Sequence, residues 1–111
     1  MDLKVEKLEN APKGKGYRIV KHLIGKEQYK NSARLYAEVT LKEGCAIGYH
    51  EHHKESETYY ILSGEGIYND NGTMRRVKKG DVTFTGDGMG HGLENASKED
   101  LVFVALILLD K

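Results

Sequence analysis

Three histidines and one glutamate carry the chemistry most visible in this sequence. His50 and His52 are one residue apart, Glu57 follows, and His91 comes much later between Gly90 and Gly92. Three imidazoles and one carboxylate suit a single divalent metal ion. On an extended chain successive side chains face opposite ways. His50 and His52 then share a face, with Cα atoms about 7 Å apart at about 3.3 Å per residue. Two imidazoles at that separation can converge on one ion, while Glu51 and His53 face away. If Glu57 opens an antiparallel neighbour, its carboxylate can lie beside the pair. Tyr59 and Ile61 then line the metal side, and Thr58, Tyr60 and Leu62 face the other. His91 has to come from another strand, across the pocket. Binding requires neutral imidazoles, so affinity should fall as the pH drops through about 6.5.

Strands are the elements that must position these groups. Leu35, Ala37, Val39 and Leu41 alternate with Tyr36, Glu38, Thr40 and Lys42, the period of a half-buried strand. Further extended stretches are expected at Tyr17–Ile24, Ala46–His52, Glu57–Leu62, Val82–Thr85 and His91–Asn95, with a short one around Leu3, Val5 and Leu8. Asp70, Asn71 and Gly72 tolerate positive φ and predict a hairpin between Ile67–Asn69 and Thr73–Val77. Gly25–Ser32 reads as a polar loop with room for one helical turn. Leu101–Leu109 is apolar on both faces, as for a strand central to a sandwich or one packed outward against another subunit. Thirteen glycines, one proline and roughly ten short strands separated by turns predict an all-β sandwich or barrel.

The chain has 111 residues, which is one domain with a modest core. Seventeen basic residues balance seventeen acidic ones, so net charge implies no nucleic-acid partner. The single Cys45 allows no internal disulfide and reads as a buried, inert thiol. The charged N-terminus MDLKVEKLEN has no apolar core and is not expected to be a signal peptide. The apolar run Leu101–Leu109 is far short of the ~20 residues a membrane helix needs. A soluble, cytoplasmic protein is the expectation.

The glycines around the four candidate ligands complete a pattern. Gly44, His50, His52, Glu57 and Gly64 match the first motif of the cupin superfamily position for position. Gly80, Gly88, His91 and Asn95 match the second, and fifteen residues separate the two motifs. The chain thus resembles a small single-domain bacterial cupin, and one half of the oxalate-degrading bicupins and germin-like proteins. The resemblance implies a double-stranded β-helix, or jelly-roll barrel, over residues 1–111, with motif 1 at 44–64 and motif 2 at 80–95. It implies His50, His52, Glu57 and His91 as ligands of one ion: manganese, iron, nickel, cobalt or zinc. Asn95 is expected to brace a loop. The family's pattern has proline where this chain has Gly86. Proline would stiffen the loop that delivers His91, so that loop is expected to be mobile and His91 the most easily displaced ligand.

A divalent ion balanced by one carboxylate favours small anions, above all carboxylates. The expected function is metal-dependent chemistry on a small carboxylate or oxygenated metabolite, of oxygenase, decarboxylase or isomerase type. The alternative is a module that binds or senses such a ligand without turnover. No second glutamate is clearly placed to donate a proton for decarboxylation. Tyr59, Ile61, Met89 and Arg34 are the pocket candidates. Arg34 could clamp a carboxylate through paired hydrogen bonds if its strand face lines the pocket; otherwise Leu35, Ala37, Val39 and Leu41 line it. Tyr49, Tyr60 and Tyr68 read as ordinary strand tyrosines, and His22 as structural or solvent-exposed. The two-sided Leu101–Leu109 strand predicts a homodimer, with the weak N-terminal strand a candidate for exchange.

Overall fold

The computed structural model describes residues 3–111; Met1 and Asp2, which begin the charged N-terminus, lie outside the described residues. Ten strands follow in order: β1 (Val5–Glu9), β2 (Tyr17–His22), β3 (Ala33–Leu41), β4 (Ala46–Glu51), β5 (Glu55–Ser63), β6 (Glu65–Asp70), β7 (Thr73–Lys78), β8 (Val82–Thr85), β9 (Gly90–Glu94) and β10 (Leu101–Leu109). One helical turn, α1 (Lys26–Tyr29), interrupts the polar stretch between β2 and β3. The strands form two antiparallel sheets. The six-stranded sheet runs β1-β2-β3-β10-β5-β8 and the four-stranded sheet runs β4-β9-β6-β7. No described helix is long and apolar enough to cross a membrane.

Alternation decides which side chains face inward. Ala37, Val39 and Leu41 of β3, Leu101, Phe103, Ala105 and Ile107 of β10, and Tyr59 and Ile61 of β5 are buried. They meet Tyr68, Val77 and Leu93 from the four-stranded sheet in one core. Each large side chain fully buried there contributes about 1.5–3 kcal/mol. The β6–β7 hairpin turns through Asn71 and Gly72, both at positive φ. Asn71 tolerates that conformation and glycine adopts it freely, which gives the primed turn that matches strand twist.

Two of the breaks in strand register lie at the site. In β4, Gly48 and Tyr49 together oppose Gly92, so the ladder resumes at His50 opposite His91. Ile47 and His50, three residues apart, consequently both face the interior. In β3 the pairing with β10 skips Arg34 between Leu35 and Ala33. Leu35, Ala37, Val39 and Leu41 form the inner face, as one of the two expected alternatives had it. Arg34, at the bulge, is nevertheless freed from the outward side of Tyr36 and reaches inward toward β5.

The loop after β1 ties the two sheets together. Lys15 bridges Ala46 at the start of β4 through reciprocal backbone hydrogen bonds of 2.9 Å. Lys13 lies so tightly over Gly48 that a Cβ there would sit 2.3 Å from the Lys13 carbonyl oxygen.

Candidate metal centre

His50 lies on β4 and His52 just beyond it; His91 lies on β9, the neighbour of β4, directly opposite His50. Glu57 comes from β5 of the facing sheet. The sequence expectation had the carboxylate beside the histidine pair and His91 across the pocket. The structure places them the other way round. The connection after His52 crosses from one sheet to the other, so β4 and β5 are consecutive in sequence without being paired.

The four groups converge. One ligand atom from each lies within 4.8 Å of all the others. Glu57 Oε1 is 2.9 Å from His91 Nε2, 3.1 Å from His52 Nε2 and 3.9 Å from His50 Nε2, and the Nε2 atoms of His52 and His91 are 3.1 Å apart. Ligand atoms bonded at about 2.1 Å to one ion, at right angles, stand about 3 Å apart. The separations among Glu57, His52 and His91 therefore fit a shared cation, and His50 stands farther off and would have to move in to join it.

The opposite ring nitrogens point to the same conclusion. His50 Nδ1 donates to the Gly48 carbonyl at 2.8 Å, and His52 Nδ1 donates to Glu55 Oε2 at 2.5 Å. His91 Nδ1 meets the Tyr68 hydroxyl at 2.8 Å, and that hydroxyl meets Thr85 Oγ1 at 2.9 Å. The tautomer that leaves His91 Nε2 free puts the Nδ1 proton on the Tyr68 oxygen and the Tyr68 proton on Thr85. With every Nδ1 so engaged, three Nε2 lone pairs can face one point, as metal-binding histidines require.

Electrostatics agree. Burial alone would raise the Glu57 pKa, but its contacts with His50, His52 and His91 outweigh burial and hold it well below the usual carboxylate range. Glu57 is thus an anion in a buried site. The hydrogen bond to Glu57 raises His52, with Glu55 adding to it, whereas burial lowers His91. Tyr59 stacks on the His91 ring, with centroids 4.8 Å apart and planes at 27°. Burial lifts its pKa well above normal, so it stays a neutral phenol.

An open cavity of about 550 Å³ leads to this cluster. Val20, Leu35, Val39, Ile47, Phe103 and Ile107 make its apolar wall, and Arg18, Arg34, Lys13, Glu6, Glu9 and His22 stand among its charged lining. Of the four pocket candidates, Tyr59 and Arg34 line the cavity. Ile61 is buried in the core, and Met89 is partly buried near Gly86; neither is a lining residue. Arg34 is already engaged: its guanidinium holds both oxygens of Glu55.

Asn95 braces the loop after β9, donating to the carbonyls of Leu41 and Glu99 and accepting from Ser97. Burial sets His91 apart from His50. Its side chain is fully enclosed, while that of His50 is 30% exposed. The loop before His91 is also tied to His52 in both directions, Gly88 N–H to the His52 carbonyl and His52 N–H to the Met89 carbonyl. Tyr68, Glu55 and Thr85, which orient the imidazoles, were not singled out from sequence. Glu55 shares the Glu57 face by simple alternation, so a β5 that starts two residues earlier would have revealed it.

Residues 37–107 match the family described as the Cupin domain. The chain is 45% identical over 104 residues to an oxalate-binding protein of Thermotoga maritima, covering 94% of this chain and 86% of that one. A Thermotoga maritima crystal structure described as a predicted oxalate decarboxylase superposes with a TM-score of 0.91 at 44% identity, over 97% of this chain and 94% of that one. The cupin domain of Cnp3 from Schizosaccharomyces pombe, at 20% identity and a TM-score of 0.75, covers 84% of this chain and 61% of that one and shares the fold alone.

Proposed function

This chain belongs to the cupin family, and we propose that it holds one divalent metal ion through His50, His52, Glu57 and His91 and uses it in chemistry on a small carboxylate, oxalate being the first candidate. The observation that carries this reading is the convergence of three Nε2 atoms and one carboxylate oxygen at the floor of an open cavity. The names of the Thermotoga relatives support oxalate as the first ligand to try. Bound there, manganese, iron, nickel, cobalt or zinc would supply a Lewis acid, and a redox-active one could also handle electrons.

The chain's own residues do the rest. Glu57 neutralises part of the charge, leaving a net positive centre that attracts an anion. Gly48, Glu55 and Tyr68 fix the imidazoles. Tyr59, Val39, Ile47 and Phe103 surround the approach with apolar surface, which strengthens the pull between ion and anion.

One observation favours the second reading, binding without turnover. Decarboxylation needs a proton donor close to the bound acid. Among the lining carboxylates, Glu57 belongs to the cluster, Glu6 is paired with His22 and Lys4, and Glu9 is exposed at the rim; Glu55 is held by Arg34 and His52. Metal analysis of tag-free protein, oxalate titration of the metal-loaded form and assay of formate and peroxide separate the two. Product formation identifies an enzyme. Tight binding without product identifies a binding module, and no metal or no oxalate-dependent heat would refute the proposal.

We also read residues 1–111 as one cupin domain whose two sheets are the halves of a double-stranded β-helix barrel, supported by the shared core and the Lys15–Ala46 bridge. A cytoplasmic homodimer paired through the outer face of the six-stranded sheet, without nucleic-acid or membrane partners, completes the reading. Exposed Tyr36, Tyr60, Val82, Phe84 and Leu108 support the choice of face.

A further inference from the structure

Oxalate would occupy little of the cavity. Its six heavy atoms take roughly the space of three waters, at about 30 Å³ each, against about 550 Å³ available. The remaining volume is bounded by an apolar wall and by charged groups nearer the loop after β1. Those charges are unequal in what they leave unsatisfied. Arg34 is neutralised by Glu55, and Glu6 is paired with Lys4 and hydrogen-bonded to His22. Lys13 and Glu9 are exposed and solvated. Arg18 differs from all of these. It is partly buried on the inner face of β2, in register with Leu41 and two residues from the cavity-lining Val20. Among the described residues it has no carboxylate partner. Its Nη1 donates to Asn10 Oδ1 at 2.8 Å and more weakly to the Glu9 carbonyl at 3.5 Å.

Asn10 is itself buried and fixed, since its amide donates to the Lys15 carbonyl at 3.0 Å. The guanidinium is therefore aimed by a rigid partner while its Nη2 and Nε donors remain for another acceptor. Arg18 and Tyr59 line the same cavity as His50, His52 and Glu57. The same tyrosine stacks on His91. An unneutralised cation and the ligand cluster therefore share one cavity.

The geometry points to Arg18 as a second anion subsite, and so to a ligand that is a 2-oxo dicarboxylic acid longer than oxalate, its 2-oxo carboxylate at the metal and its far carboxylate on Arg18. This deepens the proposed function and rests on its metal-centred carboxylate. A chelating oxygen pair would suit an ion held by His50, His52, Glu57 and His91 beside the cavity. A short methylene arm matches the wall of Val20, Val39 and Phe103. A planar carboxylate matches the guanidinium fork. The two positive ends, with Arg34 already paired, match a dianion.

Calorimetry on the manganese-loaded protein tests this with oxalate, with 2-oxoglutarate and 2-oxoadipate, and with the monocarboxylic 2-oxo acids of the same lengths. At least one dicarboxylate should bind about tenfold or more tighter than its length-matched monocarboxylate, the value of a charge-assisted bond. Arg18→Gln should shrink that preference to within about twofold, with oxalate affinity falling by less than that of the dicarboxylate; Arg18→Met serves if the glutamine variant fails to fold. Equal binding of mono- and dicarboxylates by the wild type, or a preference that survives loss of Arg18, overturns the subsite while oxalate binding keeps the metal-centred reading intact. Failure of every carboxylate to bind the loaded wild type overturns both.

Discussion

The Arg34 guanidinium grips both carboxylate oxygens of Glu55, Nε to Oε1 at 2.7 Å and Nη2 to Oε2 at 2.8 Å. Glu55 Oε2 in turn accepts from His52 Nδ1. A cation at the cavity edge is thereby linked through one carboxylate to a buried imidazole of the metal cluster. Removing Glu55 leaves His52 free to change tautomer and rotate. Glu55→Ala should lower metal affinity about 10–100-fold, and Glu55→Gln, which still offers an acceptor, by less. Competition with a chromogenic chelator measures this, and wild-type affinity in Glu55→Ala would exclude an orienting role.

The same pair sets an acid limit on the metal-free protein. The Arg34 hydrogen bonds, opposed by burial and helped by His52, lower the Glu55 pKa from 4.5 to about 2. A depressed folded pKa stabilises fully above the unfolded value, and the gain is lost as the pH falls from about 4.5 toward 2. Arg34→Met should therefore be less stable than wild type at neutral pH, and the two should converge across that window. Denaturant midpoints along a pH series check it. Because the Arg34 side chain is 55% exposed, added salt should narrow the gap.

Tyr68 is fully buried, and its hydroxyl is shared by His91 and Thr85. Tyr68→Phe keeps the ring in the core but strands two buried polar groups. An unsatisfied buried group costs about 1–3 kcal/mol. A loss of that size in unfolding free energy is expected, together with roughly tenfold weaker metal binding. Weakened metal binding without any loss of stability would show that the hydroxyl orients His91 without supporting the core.

The strand pattern and the four converging groups were legible because both depend on local rules. Alternation put His50 with His52, and Glu57 with Tyr59, on single faces, and Asn71-Gly72 marked its own turn. What stayed hidden depends on partners distant in the chain. Tyr68 looks like any strand tyrosine until the β6–β9 register sets it opposite Leu93, next to His91. The sheet assignment of Glu57 and His91 was inverted because sequence neighbours β4 and β5 do not pair. Arg34 defied alternation through a bulge that no residue type announces.

His50 should be the ligand released first. Its imidazole is 30% exposed and is fixed only by the Gly48 carbonyl two residues before it, whereas His91 is enclosed and its loop is tied to His52. In the metal-free protein, hydrogen exchange should find the amides of His52 and Gly88 protected. His50→Ala should lose metal yet keep its fold, whereas His91→Ala, which empties a buried position, should destabilise as well. Rapid exchange throughout residues 86–92 without metal would instead support a mobile loop licensed by Gly86.

The outer face of the six-stranded sheet makes the last prediction. Tyr60 opposes Val82 and Val104 there, Leu106 opposes Tyr36, and Phe84 opposes Thr58. Tyr60 is 46% exposed and Val82 and Phe84 are each 57% exposed, although their inward neighbours Tyr59, Thr83 and Thr85 are buried. The apolar outward positions contribute nothing to the core, and a second copy of the sheet would remove them from water. β8 is an edge strand, so its unpaired backbone adds donors and acceptors to the same surface. Light scattering should therefore give the mass of two chains. Phe84→Lys, which puts a charge on the patch along its β8 edge without touching the core, should shift the protein to one chain with little change in metal affinity. A wild-type mass of one chain at micromolar concentration would leave this face unpartnered and remove the dimer from the reading.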